Sequence, residues 1–326
     1  MNEILAQIKQ IILSQKQVAI ISHINPDGDT LGSQLAMAHA VNQFGIQPVL
    51  LNCDEISDKY KFVLGQLQVN QYQPDMILPD VVIFVDCATL ERAGFAQYEQ
   101  QLQGRTVINI DHHTSNNFFG AINYVQAGAA ANCQVIYEVI SALGAELTPL
   151  LATALDLGIS TDTGSFLFDS VSADTHRVAA VLIEAGANTD QIRANIYENC
   201  SQARFRLQKY IYNQTSLSDD GLLAWSILDY EMLNQLKADS ADIDGLVNSI
   251  KNIEGVEVAL LFRGIETNKV KVSFRSKVWA DVNAIASNFG GGGHVRASGC
   301  TIEGSMNECV KQVVDQTQAY LLRGKA

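Results

Sequence analysis

The sequence predicts an α/β protein: an N-terminal, mostly parallel sheet with helices on both faces, joined by a helical linker to a smaller α+β C-terminal domain with its own sheet. Three observations carry that prediction. Short apolar, β-branched runs recur as VAIIS (18–22), QPVLLN (47–52), VVIFVD (81–86) and TVINID (106–111), with helical stretches between them. Strands apolar on nearly every residue are covered on both faces, and strand–helix alternation builds a parallel sheet. The texture then changes near residue 216, and 326 residues exceed the usual length of one domain.

MNEILAQIKQIILSQK places apolar residues at 4, 5, 8, 11 and 12, a helical stripe rather than a basic segment ahead of a long apolar core. VAIIS stops at His23. Beyond NPDGD, TLGSQLAMAHAVNQFG reads as a helix ending near Gly45, where a left-handed cap costs glycine little. QPVLLN, VVIFVD and TVINID resume strand character, and VAAVLIEAG is helical. TDQIRANIYENCSQARFRLQKYIYNQT looks like a helical connector; GLLAWSIL, VEVALLFRGI and KVKVSFRS read as strands, and DIDGLVNSIKNI as a helix. Domains are expected at 1–186 and 216–326, with the linker at 187–215.

With 47% hydrophobic and 17% charged residues the chain can bury real cores, which argues against global disorder. A net charge of −13 argues against a general nucleic-acid binder, because a polyanion is held by a basic surface that displaces counterions. The charge is uneven: residues 1–176 hold six Lys/Arg against eighteen Asp/Glu, whereas 251–326 hold ten against seven. That split suggests a cation-hungry first half and an anion-tolerant C-terminal part. Six cysteines at 53, 87, 133, 200, 300 and 309 form no C-x-x-C pair, so reduced core thiols are expected. No run reaches transmembrane length, and a soluble cytoplasmic protein without membrane partners is the expectation.

Ligands of open α/β sheets gather beyond the carboxyl ends of the strands. Three predicted strands end in ionisable residues: His23, Asp86, and Asp111 with His112 and His113; Asp162 in STDTGSF follows the apolar LATALDLGI. Topology can bring all of them to one edge. Carboxylates and imidazoles without thiolates suit manganese, magnesium or a similar divalent ion rather than structural zinc. A pair of such ions about 3.5–4 Å apart requires a bridging carboxylate, and His23, Asp27, Asp29, Asp86, His112 and Asp162 are six good ligand candidates. Pro26 and Gly28 fit a tight turn that sends Asp27 and Asp29 to different sides of the loop. Taken singly, an Asp-Gly pair is more often a turn and a DHH triplet can be a helix cap. Four such motifs, all at predicted strand or helix ends, argue for one site.

There is no G-x-S-x-G elbow, no G-x-x-x-x-G-K-[ST] loop and no cysteine beside a histidine. Hydrolysis by a metal-bound water or hydroxide fits what remains. In the second half, FGGGGHVRASG (289–299) offers consecutive glycines whose amides can approach an anion, with His294, Arg296 and Ser298 as nearby donors. A flexible loop is the bland alternative. Arg263 and Arg275, on predicted strands, add positive charge that either meets the same anion or is simply solvated.

Together these blocks resemble the DHH phosphoesterase family, more narrowly its nanoRNase and pAp-phosphatase branch, in which a DHH domain precedes a DHH-associated domain. SHINPDGDTLGS, VDCATLERAG, IDHHTSN and STDTGSF match the catalytic blocks in order, and FGGGGHVRASG matches the glycine-rich block of the associated domain. The resemblance implies two divalent cations, usually Mn²⁺, with Mg²⁺ or Co²⁺ as substitutes. His23, Asp27 and Asp86 would hold one, and Asp29, Asp86, His112 and Asp162 the other, with Asp86 as the bridge. It implies that His113 contacts the scissile phosphate or assists the leaving group, while Asp111 orients the histidines. Arg263, Arg275, Gly291, Gly292, Gly293, His294 and Ser298 would grip the nucleotide, and Arg92 help with phosphate.

The implied substrates are RNA fragments of a few nucleotides and the 3′-phosphate of adenosine 3′,5′-bisphosphate. Such short substrates need no long basic groove, and no long nucleic acid is expected as a partner. Length favours this branch over RecJ-type exonucleases, which carry further domains. A homodimer is plausible for the family. Two departures bear on substrate preference: AGAAANC (127–133) is poorer in hydroxyls than related sequences, and Val295 and Arg296 stand where a polar residue is common. Neither is expected to touch a proposed ligand. Rival readings are a cyclic- or linear-dinucleotide phosphodiesterase, then an exopolyphosphatase or pyrophosphatase, and a nucleotide sensor without activity.

Overall fold

The computed structural model describes residues 3–236, 238, 240–243, 245–266 and 268–324. The chain divides into two compact units between Asn199 and Cys200. In the first, α1 (Glu3–Leu13) is followed by β1 (Gln17–Ile21), α2 (Gly28–Asn42), β2 (Gln47–Asn52), β3 (Val69–Gln71), β4 (Val81–Val85), β5 (Thr106–Asp111), β6 (Ile122–Val125), α3 (Asn132–Leu143), α4 (Pro149–Asp162) and α5 (Ala173–Glu184). All six strands pair in parallel, in the order β3-β2-β1-β4-β5-β6. The chain winds outward from β1 in one direction and from β4 in the other, so a topological switch point lies between them. Crevices for ligands open beyond the carboxyl ends of strands at such points.

Alternation along the strands explains the unbroken apolar runs. Val18, Ile20, Ile83, Val85, Ile108 and Ile110 pack with α1 to α5, while Ala19, Ile21, Val82, Phe84 and Val107 face a second core. The helical cover is uneven. The second face carries a 3₁₀ helix, Ala96–Leu102, and loops whose Tyr72, Phe95 and Tyr98 rings gather near Phe84, with Phe84 and Phe95 meeting edge to face at 5.6 Å. Pro74 and Pro79, then Gly94 and Gly104 at positive φ, punctuate these connections too often for a long helix.

The second unit contains β7 (Ser216–Leu217), β8 (Leu223–Leu228), β9 (Val258–Glu266), β10 (Lys269–Ser276), β11 (Gly292–His294) and β12 (Ala297–Glu303), ordered β11-β12-β10-β9-β8-β7. Only the β8–β9 pair is parallel. Val258, Leu260, Phe262, Val272 and Phe274 join a core with residues of the helices Val282–Ser287 and Met306–Gly324. Ala259 and Leu261 face the other way, toward Leu207 and Ile211 of the helix Gln202–Gln214 and toward Leu246 and Ile250.

The segment read as one helical connector is interrupted: a short helix, Thr189–Ile192, and a turn of π-helix, Arg193–Tyr197, close the first unit, and Ser201 caps a new helix that packs into the second. The glycine block is not a plain loop, because Gly292–His294 pairs antiparallel with β12. All six cysteines are free thiols, four of them buried. Among the described residues no helix is long and apolar enough to cross a membrane.

Candidate metal centre

The carboxyl ends of β1, β4 and β5 deliver His23, Asp86 and the Asp111–His113 block side by side. Asp86 leaves β4 in the left-handed region, at φ 58°, while its amide donates to the Ile110 carbonyl at 3.0 Å. Aspartate tolerates that conformation better than most residues, and strain of this kind concentrates at functional sites. The Pro26–Gly28 segment is not an isolated turn: Asp27 caps α2, accepting from the amides of Asp29 and Thr30 at 3.0 Å each, so that Asp29 sits in the first helical turn.

Three groups of candidate ligands form, the third being Asp86 with His112 and His113, which shares one residue with each of the other two. In the first, His23 Nε2 lies 3.4 Å from Asp86 Oδ2 and 3.8 Å from Asp27 Oδ2. In the second, His112 Nε2 lies 3.6 Å from Asp162 Oδ2 and 3.9 Å from Asp29 Oδ2. Within each group the ligand atoms lie within 4.8 Å of one another. Asp86 touches the first two, because its Oδ1 is 3.5 Å from His112 Nε2. Both imidazoles are aimed by backbone: His23 Nδ1 is 2.7 Å from the Ile24 carbonyl and His112 Nδ1 is 3.2 Å from the Ala129 carbonyl. A carbonyl only accepts, so Nδ1 carries a proton in either charge state, and Nε2 is the atom that becomes a ligand once its own proton is lost. His113 is aimed by Asp111, whose buried Oδ1 accepts from Nδ1 at 2.8 Å while Oδ2 accepts from Asn116 Nδ2 at 2.6 Å.

The electrostatics are those of an anionic cage. Burial pushes the Asp29 carboxyl well above its usual range, and the neighbouring Asp86 and Asp162 add to it; burial likewise lifts Asp162 to about 6. Burial alone would raise Asp86 too, but the hydrogen bond and charge of His23, with the charges of His112 and His113, hold it well below the carboxylate range. Burial would lower His112, yet Asp29, Asp86 and Asp162 raise it to about 9. One observation speaks directly to a missing positive charge: Asp86 Oδ1 is buried and has no hydrogen-bond partner. Such an orphan costs free energy unless something outside the chain satisfies it. Hard oxygens plus imidazole nitrogens fit divalent cations of the magnesium and manganese type.

Several contributors escaped the sequence reading. Thr30 Oγ1 donates to Asp86 Oδ2 at 2.8 Å and lies 2.5 Å from His23 Nε2, tying the two together. The 127–133 stretch, expected to lie away from the ligands, grips two of them. Its Ala129 carbonyl orients His112, and the amides of Asn132 and Cys133, at the start of α3, donate to Asp29 at 2.5 and 2.8 Å. The close crossing that allows this depends on Gly158, where a Cβ would lie 2.2 Å from Cys133 Sγ and 2.6 Å from Asp29 Oδ1.

Arg92 is exposed, and its charge reaches His23. In the second unit, strand register puts Arg263, Lys271, Arg275, Gly292 and His294 on one face of the sheet, a basic surface built from three strands. Ser298 is not on it. Paired with Phe274, it points to the opposite, buried face, where its hydroxyl donates to the Val282 carbonyl at 2.7 Å. Arg296 is likewise engaged, with the Ala280 carbonyl. Gly291 and Gly293 have a packing reason of their own, because a Cβ at either would lie within 2.6 Å of a carbonyl oxygen of β12. At Gly292 a Cβ would meet only Asn283 Oδ1, at an ordinary contact distance of 3.9 Å.

The DHH family N-terminal domain matches residues 17–159, and the DHHA1 domain matches residues 225–321. The bifunctional oligoribonuclease and PAP phosphatase NrnA of Thermus thermophilus is 30% identical over 310 residues, covering 94% of this chain and 90% of the relative. NrnA of Mycoplasma genitalium is 27% identical over 305 residues, covering 91% and 94%. The crystal structure of an exopolyphosphatase-related protein from Bacteroides fragilis superposes with a TM-score of 0.91 at 24% identity, over 100% of this chain and 98% of that one, a likeness of fold. With both domain types in order and a relative aligned along nearly its whole length, this chain belongs to the DHH family of phosphoesterases, a DHH domain followed by a DHHA1 domain.

Proposed function

We propose that this chain hydrolyses oligoribonucleotides of two to five nucleotides and the 3′-phosphate of adenosine 3′,5′-bisphosphate, using two divalent cations, Mn²⁺ first among them. Support comes from relatives named for those two activities and above all from Asp86. One of its oxygens faces His23 and the other, without a hydrogen bond, faces His112. A carboxylate shared between two cation sites would be arranged this way. His23, Asp27 and Asp86 would hold one ion; Asp29, Asp86, His112 and Asp162 the other. When bound, such ions polarise phosphoryl oxygens and make water a better nucleophile near neutral pH.

The chain supplies the rest. Asp111 fixes the His113 ring with Nδ1 occupied, leaving Nε2 to face the phosphate or to give its proton to the leaving oxygen. In the cation-free chain burial lowers the pKa of His113, but its hydrogen bond to Asp111 and the charge of Asp86 raise it more. We assign the catalytic role to 1–186 and substrate binding to 216–326, where Arg263, Arg275, Gly292 and His294 offer donors to nucleotide phosphates. A cytoplasmic location and a homodimer accompany the proposal. The test is the purified full chain with Mn²⁺ against two-to-five-nucleotide RNAs, adenosine bisphosphate, cyclic dinucleotides and pyrophosphate. Turnover of the first two, abolished by chelation, is expected; turnover of cyclic dinucleotides or pyrophosphate alone would contradict the assignment.

A further inference from the structure

The segment just after Asp162 is built to keep two apolar side chains in water. Gly164, Ser165 and Phe166 are all left-handed, at φ 56°, 60° and 64°. Two of the three carry a Cβ, for which this region is unfavourable. The loop is nonetheless tightly held. Buried Thr163 accepts the amides of Leu167 and Phe168 on its carbonyl at 2.9 and 3.1 Å, and the amide of Phe166 on its hydroxyl at 3.0 Å. Ser165 N–H donates to the Ser160 carbonyl at 2.7 Å. Phe166 turns back and stacks on His176, rings 5.1 Å apart and 19° from parallel. Its two successors stay outside: Leu167 is 82% exposed and Phe168 49%. The Phe168 ring lies against Gly164, where a Cβ would come within 2.6 Å of it, so the absence of a side chain at Gly164 makes room for the ring.

We propose that Phe168, flanked by Leu167, is a stacking platform for one nucleobase of the substrate, set one loop away from the candidate cation ligand Asp162. This rests on the phosphoesterase reading above: the base of a nucleotide whose phosphate lies among the carboxylates sits a sugar's length away from that cluster, and Phe168 follows Asp162 by six residues. An aromatic face exposed to water on a hydrogen-bonded loop offers what a base needs, and because every base has a π-face the contact is tolerant of sequence. The platform gives a hydrolase of short RNA purchase on its substrate that inorganic polyphosphate cannot use.

Two measurements test it. With Ca²⁺ in place of Mn²⁺, so that a divalent ion still holds the phosphate while turnover is suppressed, a dinucleotide carrying 2-aminopurine at either position is titrated with the full chain. Quenching of its fluorescence at one position is expected with wild type and with Phe168→Tyr, and its loss with Phe168→Ala. With Mn²⁺, KM is compared for pApA and for analogues lacking one base. One abasic analogue should show a KM raised on the order of 10-fold; Phe168→Ala should raise KM for pApA similarly and leave that analogue unchanged. Quenching that survives Phe168→Ala, or abasic analogues handled as well as pApA by wild type, would overturn the platform while leaving phosphoesterase activity intact. Absence of pApA turnover alongside Phe168-dependent quenching would instead overturn the proposed reaction and keep the platform.

Discussion

Asp156→Asn should stabilise the protein, by an amount that depends on pH in a calculable way. Asp156 lies on α4, 5% exposed, and burial lifts its carboxyl to about 6 from an ordinary 3.8. A raised carboxyl pKa means that the folded state resists ionisation, so the charged form costs stability once the pH exceeds the unfolded value. The cost grows between about pH 4 and 6 and is complete above that. The difference of roughly two units corresponds to about 3 kcal/mol at pH 7.5, falling to about 1 kcal/mol at pH 4.5. For a unit of about 200 residues that is roughly 6–12 °C of Tm at the higher pH. Calorimetry of wild type and variant in chelator, at both pH values, reads the effect on the first unit directly. A variant that lowers Tm at pH 7.5, or shifts it equally at both pH values, would refute burial as the cause.

Gly158→Ala should be destabilising by about 1–3 kcal/mol, because the new Cβ meets Cys133 Sγ and Asp29 Oδ1. It should also weaken Mn²⁺ affinity, which isothermal titration separates from stability. Arg275→Ala should raise KM severalfold with little change in kcat, whereas Ser298→Ala should leave KM alone and cost about 1 kcal/mol of stability, since its hydroxyl serves the Val282 carbonyl. Because surrounding carboxylates keep His112 protonated up to about 9 in the cation-free chain, Mn²⁺ binding at pH 7.5 should expel a proton. Affinity should therefore rise with pH toward 9, and titrations in buffers of different ionisation enthalpy should show the release.

The parallel sheet was legible because its strands are buried on both faces, which leaves continuous runs such as VVIFV that little else produces. His23, Asp86 and His112 were legible for the same reason: each ends an apolar run, and parallel pairing brings the ends together. Residues that act through backbone atoms left no trace in the sequence. The amides of Asn132 and Cys133 hold Asp29, and nothing in AGAAANC announces it. Pro26-Asp27-Gly28 fits a turn because local chemistry is the same for a turn and a helix cap; in the fold Asp27 caps α2 and Gly28 lies close against Thr161 of α4. Ser298, expected among the nucleotide-gripping residues, points into the core because one step along β12 moves a side chain from the basic face to the buried one. Leu167 and Phe168 were invisible as a feature because exposure cannot be read from an apolar residue.

The central claim is that Asp86 joins two cation sites, and counting cations tests it most directly. Equilibrium dialysis combined with electron paramagnetic resonance should find two Mn²⁺ per wild-type chain with the signal of a coupled pair. Asp86→Asn, whose side chain also tolerates φ 58°, should remain folded, bind fewer ions and lose the coupling. A wild-type chain that binds a single ion, or an Asp86→Asn chain that still holds a coupled pair, would contradict the claim.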